Sequence, residues 1–273
     1  MLLSDMHLFE SSQYMVDGRI ISMNPGGANQ VSTLWLRDAQ ADSAKVVAVG
    51  EGRSPFWINN EQFGYIRNVS DIARPVAQEL VVASADNLEL EPLLTTAVLT
   101  EALPERTGSN PLIMQYAIAH PTDENLRLLM AAAQPRDGHL FQINRQTQEI
   151  ASLFAVDLSR GEHSLGFSPD GRFLAATGTI QQQSTGPVFE DNIFGALHVY
   201  DLESGELQTI LINTDTFFPS FTFDWSMDGN WLAFTRDNNV IGLLAPAYDH
   251  QQTIIHEEGN CTSLAWVNPL PAD

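Results

Sequence analysis

Three observations predict an all-β fold of repeated four-stranded antiparallel blades, a β-propeller, for this chain of 273 residues. The stretch FSPDGRFLAA, Phe167 to Ala176, has the outline of a strand, a tight turn and a strand, and WSMDGNWLAF, Trp225 to Phe234, repeats it. A second pattern recurs as well: GHLFQINRQTQE, Gly138 to Glu149, lies on GALHVYDLESGE, Gly195 to Glu206, without a gap. Finally, no stretch of about ten residues carries an amphipathic helical period. VLTEALPERTG comes nearest, and Pro104 breaks it.

In chain order, each unit reads as four short strands, A to D. The first, about residues 11–50, opens with SQYMVDGRIIS, whose Asp17-Gly18-Arg19 aligns on Asp170-Gly171-Arg172, and continues with STLWLRDAQADSAK. The second, 53–98, opens with SPFWINNEQFGYI, with Asn59-Asn60 at the turn, and continues with QELVVASADNLE. The third, 111–157, opens with YAIAHPTDENLRLLMAA, which has a longer turn. The fourth, 162–213, and the fifth, 219–258, carry the two best copies. Asp-Gly and Asn-Asn suit the A–B corner because they tolerate positive φ in tight turns. Stretches such as RFLAATG and LIMQYAIA are apolar on both faces, as buried inner strands are. Repeats of about 40 to 45 residues with four strands each are propeller blades.

The A-strand anchors fall near 14, 57, 119, 167, 225 and 266. Complete B-C-D sets number five, and a sixth A-type segment, Thr262 to Asn268, follows the last. A ring must close or expose bare edges. The expectation is therefore one domain, 1–273, of five blades closed by pairing N- and C-terminal strands: the Trp266 segment, 262–268, on the Gly18–Met23 strand, with 1–16 an added outer segment. The alternative is a fragment of a six- to eight-bladed propeller.

FSPDGRFLA, WSMDGNWLAF and LHVYDLESGE make the chain resemble the WD40-like propellers, in particular the TolB-like kind. The resemblance runs over nearly the whole chain. It implies the propeller fold and, by analogy of fold, a binding or scaffold role.

Composition narrows the function. The chain is 44% hydrophobic and 17% charged, enough to bury a core. Thirteen basic residues against 34 acidic ones give a net charge of -21, and Lys45 is the single lysine. Such a surface excludes nucleic acid as the expected partner and disfavours anionic membranes. The start MLLSDMHLFE has no basic region and no long apolar run, so no signal peptide is expected, and no membrane-length apolar run occurs. Cys261 is alone and forms no internal disulfide.

Strand alternation puts the A–B and C–D turns on one face and the B–C and D–A loops on the other. The long segments, Val69–Gln78, Leu99–Pro111, Ile180–Phe194 and Asn213–Pro219, all belong to the second face. Loops carry function more often than scaffold strands, so this face is the expected binding surface. Its candidate residues are Asp71, Arg74, Glu105, Arg106, Phe189, Glu190, Asp191, Asp215, Phe217 and Phe218, with Arg53 and His163 at the channel mouth. Aromatics with arginine suit an interaction surface. The plainer reading of the phenylalanines is that they fold back over the blade ends.

Chemical motifs are sparse. Asp71, Glu190, Asp191 and Asp215 are candidates for a general acid and base pair across the channel mouth, but several acids near any opening are expected among 34. His163 and His198 read as hydrogen-bonded structural histidines. No His-x-x-x-His pair, calcium loop, G-x-S-x-G elbow or Gly-rich phosphate loop occurs, so no metal or cofactor is expected. The reading is a non-enzymatic binding or scaffold module for a protein or peptide on the long-loop face. The alternatives are a carbohydrate-active hydrolase with carboxylates at the channel mouth, or the propeller part of a larger multidomain protein.

Overall fold

The computed structural model describes residues 12–14, 19–24, 33–38, 46–69, 77–103, 112–132, 137–158, 164–182, 192–213, 222–236, 240–247, 251–256, 264 and 266. Among these, five antiparallel sheets of four strands follow one another along the chain. The first holds β1 (Ser12–Tyr14), β2 (Arg19–Asn24), β3 (Thr33–Asp38) and β4 (Val46–Glu51). The second holds β5 (Arg53–Trp57), β6 (Gln62–Asn68), β7 (Gln78–Ser84) and β8 (Leu90–Thr95), and leads into a short helix, α1 (Thr96–Glu101). The third holds β9 (Ile113–Ala119), β10 (Leu126–Ala132), β11 (Gly138–Asn144) and β12 (Ile150–Val156). The fourth comprises β13 (Leu165–Phe167), β14 (Phe173–Gln182), β15 (Asn192–Asp201) and β16 (Leu207–Asn213). The fifth comprises β17 (Phe223–Trp225), β18 (Leu232–Arg236), β19 (Val240–Ala245) and β20 (Gln251–His256). Each sheet is a simple meander, as propeller blades are.

The chain divides into two compact units, Met1–Gln134 with Gly138–Ala155, and Pro135–Asp137 with Val156–Asp273. In the first unit, apolar residues fill the space between successive sheets. Ile21, Leu34, Phe63, Tyr65 and Val81 pack between the first and second, and Phe56, Leu80, Met114, Leu129 and Phe141 between the second and third. In the second unit Phe173, Leu197, Trp225, Phe234 and Leu244 form the corresponding core. All seven residues of β10 are buried, whereas the outer strand β12 is largely open to solvent. An inner strand needs apolar side chains on both faces because a neighbouring sheet covers each.

Two glycines allow this packing. A Cβ on Gly64 would lie 2.2 Å from Cζ of Phe56, and one on Gly242 would lie 2.2 Å from Cζ of Phe234. Each phenyl ring lies across its cross-strand glycine, where no side chain fits.

Two expectations change. β2 pairs with β1 on one edge and β3 on the other. A strand has only two edges, so the described part of the Gly18–Met23 segment is not available to a C-terminal strand, and 12–14 forms an edge strand of the first sheet; of the expected closing segment 262–268 only 264 and 266 are among the described residues. The segment Ile180–Phe194 is also not all loop: Ile180 pairs with Phe194, Gln181 with Ile193 and Gln182 with Asn192. β14 and β15 thus run ten residues each, longer than a typical strand.

Candidate functional site

The long-loop face of the first unit rests on a polar frame centred on Gln78, which is 1% exposed. Its backbone N–H donates to Thr96 Oγ1 at 3.0 Å, and that hydroxyl donates back to the Gln78 carbonyl at 3.1 Å. The Gln78 side-chain amide donates to Asn68 Oδ1 at 3.2 Å and accepts from the Met114 backbone N–H at 2.8 Å. One residue therefore ties the end of β6, the start of β7, α1 and β9. Thr100 extends the frame: its hydroxyl donates to the Thr96 carbonyl and accepts from the Leu112 N–H. A buried amide is tolerated here because its polar groups find partners. The B–C end of the second sheet and the D–A connection to the third thus meet at one point.

α1 is part of that connection. Thr95, extended at φ −106°, accepts the Val98 N–H through its side chain and caps the helix, and Ala102 ends it two residues before Pro104. Leu99 faces inward at 0% exposure, while Val98 is 47% exposed and Val69, at the β6 end of the same frame, is 46% exposed. Arg67 and Glu79, opposite each other across β6 and β7, form an ion pair at 2.6 Å.

The predicted channel-mouth residue Arg53 begins β5, the first strand of the second sheet. Its Nη1 donates to Gln115 Oε1 at 3.5 Å, and among the described residues its Nε has no hydrogen-bond partner. Burial lowers the guanidinium pKa, opposed by Tyr116. Beside it Ser54, at φ 49°, accepts the Ala117 N–H on its hydroxyl at 2.9 Å and so stitches β5 to β9. The side chain is partly buried and its Nε is shut off from solvent, so that donor is not open to an incoming group.

In the second unit the residues just before β13 and β17 are tied down in the same way. Thr177 Oγ1 accepts the Ser164 N–H at 2.6 Å, and Thr235 Oγ1 accepts the Thr222 N–H at 3.1 Å. His198, on β15, is 5% exposed and its Nδ1 lies 2.9 Å from Thr209 Oγ1. Burial pushes its pKa down to about 4. Packing against Gly178, whose added Cβ would meet His198 Nε2 at 3.3 Å, gives it the structural role expected of it.

Most predicted loop residues lie outside the described residues. These are Asp71 and Arg74, Glu105 and Arg106, Phe189, Glu190 and Asp191, Asp215, Phe217 and Phe218, and His163. What is placed is the footing of three of the loops: 70–76 between Val69 and Ala77, whose N–H and carbonyl bond at 2.8 Å; 104–111 between α1 and β9; and 183–191 at the end of the β14–β15 ribbon. Gln78, at the start of β7, and Thr96 and Thr100, on the short helix α1, carry no signal in the sequence because single polar residues in such places stand out from no pattern. Arg67 and Glu79 were findable by counting register back from the B–C loop.

Elsewhere, a shallow groove of about 440 Å³ is lined by Gln62, Ser84, Glu89, Glu91 and Pro92, and Glu91 is already paired with Arg145. Among the described residues no group of three or more His, Cys, Asp or Glu side chains is arranged to hold a metal, and no helix is long and apolar enough to cross a membrane.

No family model matches the chain, and no curated protein does. Among solved structures it is similar to TolB from Acinetobacter baumannii, with a TM-score of 0.55 and 12% identity over 92% of this chain and 55% of that one. It is similar also to an oligogalacturonate lyase from Vibrio parahaemolyticus, with a TM-score of 0.53 and 9% identity over 88% of this chain and 63% of that one. An auxiliary nutrient binding protein from Bacteroides thetaiotaomicron aligns with a TM-score of 0.50 and 14% identity over 92% of this chain and 59% of that one. The chain spans less than two thirds of the length of each of these structures. At such identities the likeness is one of fold, and the fold is a TolB-like β-propeller.

Proposed function

We propose that this propeller is a non-enzymatic binding or scaffold module that holds a protein or peptide partner on its long-loop face. The observation that carries the reading is the Gln78 frame, which makes a rigid footing for two neighbouring loops and leaves Val69 and Val98 exposed beside them. Apolar side chains held on a stiff base lose little further entropy when a partner covers them. Arg53 offers its terminal amino groups, not its buried Nε, to a carbonyl or carboxylate of the partner. In this reading Asp71, Arg74, Glu105 and Arg106 belong to the long loops of the first unit, Phe189, Glu190, Asp191, Asp215, Phe217 and Phe218 to those of the second, and His163 to the channel mouth. The net charge of -21 favours a basic partner by steering its approach.

The test is to isolate the partner by crosslinking to the intact chain, then measure its affinity for Arg53→Gln, Arg74→Ala, Arg106→Ala, Phe189→Ala and Phe217→Ala, with melting curves as a folding control. At least two of the five should weaken binding about tenfold or more, as hot-spot residues do. Unchanged affinity in all five overturns the assignment of the face.

A further inference from the structure

The fourth and fifth sheets carry the same corner 58 residues apart, with Pro169, Arg172 and Phe173 of the one matched by Met227, Asn230 and Trp231 of the other. In the fourth sheet Ser168 Oγ donates to Asp170 Oδ1 at 2.5 Å and accepts the Phe173 N–H at 2.9 Å. In the fifth, Ser226 Oγ donates to Asp228 Oδ1 at 2.6 Å and accepts the Trp231 N–H at 2.9 Å. Gly171 and Gly229 take φ 80° and 71°. The two backbones are therefore equivalent, and Phe173 is the counterpart of Trp231.

Their surroundings are not. Phe173 is 5% exposed, stacked on Trp225 at 6.1 Å, with the Arg172 guanidinium 4.7 Å from its ring centroid. That guanidinium is held by Asp201 and Glu203. Trp231 is 40% exposed, Met227 in the same turn is 65% exposed, and among the described residues no cation lies over the indole. Carboxylates are close by. Asp228 is in the turn, its pKa held down by the Ser226 hydroxyl and by Asn230. The Asp170 carboxylate abuts Gly229, so close that an added Cβ would sit 3.5 Å from it.

We infer that Trp231, Met227, Asp228 and Asp170 form a docking site for an arginine side chain of a basic protein segment. The partner's guanidinium takes, over Trp231, the place that Arg172 takes over Phe173. An indole is a better cation–π face than a phenyl ring, and the flanking carboxylates neutralise the incoming charge. Met227 packs on the apolar neighbour of that arginine. This surface is the A–B turn face, distinct from the long-loop face, so the two assignments stand or fall separately.

The probe is an acetylated, amidated nonapeptide of alternating arginine and glycine, compared at 150 mM salt with its citrulline version, which keeps the planar group and loses the charge. Binding is followed by the indole N–H resonance of Trp231, assigned with Trp231→Phe. That resonance should shift saturably with the arginine peptide, and at least tenfold more weakly with the citrulline peptide. Asp228→Asn should weaken binding about threefold or more; Glu89→Gln and Glu149→Gln, exposed acids of the first unit, should not. Asn230→Arg sets a guanidinium at the Arg172 position of this corner, without counterparts of Asp201 and Glu203, so it should weaken peptide binding about threefold or more while the melting temperature holds. An unmoved Trp231 resonance, equal binding of the citrulline peptide, equal effects of the control acids, or full binding by Asn230→Arg each overturns the inference.

Discussion

His198 shows at the scale of one residue how burial makes a side chain sensitive to pH. In the folded chain its pKa is pushed down to about 4 by burial, against about 6.5 in the unfolded chain. The unfolded state therefore takes up the proton first as pH falls. Stability is full above pH about 6.5 and is lost as pH drops towards about 4, by up to about 3 kcal/mol from this one group. Urea titrations at pH 7.5 and 4.5 should show wild type losing about 2 to 3 kcal/mol more than His198→Asn; equal losses would mean the imidazole is already solvated. Arg127 is the opposite case. It is 0% exposed, yet it donates to the carbonyls of Leu126 and Glu124, and burial with Arg145 nearby lowers its pKa only to about 10. It stays charged and clamps the turn before β10.

At the scale of elements, the Ser-x-Asp-Gly corner explains why the repeat is so legible. One serine hydroxyl joins the first and last residues of the turn through Asp170 and Phe173, and the glycine takes a left-handed φ that other residues adopt only at a cost. All of its partners lie within five residues, so the signal is local. Removing the hydroxyl leaves a buried N–H without its acceptor. Ser168→Ala and Ser226→Ala should each cost about 1 to 2 kcal/mol in urea denaturation. A loss below about 0.3 kcal/mol would show that water replaces the serine. α1 was harder to read. It has six residues, no acidic residue in its first turn and no basic residue in its last, so neither periodicity nor charge marks it. The outer end of the ten-residue hairpin of β14 and β15 reads as loop in the sequence because its Gln and Asn residues belong to no apolar alternation.

For the molecule as a whole, the charge of -21 acts at long range and the contacts act at short range. Association of a basic partner should slow about tenfold or more between 50 and 500 mM salt, while its dissociation rate changes little. A dissociation rate that changes as much as the association rate would place buried ion pairs in the interface. By itself the sequence determined the blade repeat, its inner-strand anchors and its tight corners, because alternation and turn chemistry act over a few neighbouring residues. It also placed Arg53 on the first strand of the second sheet. Only the tertiary structure decided the pairing of β2, whose two edges are taken by β1 and β3. It also decided that Gln78 meets Thr96 and Met114, 18 and 36 residues away. The first follows from β8 pairing with β7 and the second from the third sheet packing on the second, and no local pattern records which polar side chains such pairing and packing bring together.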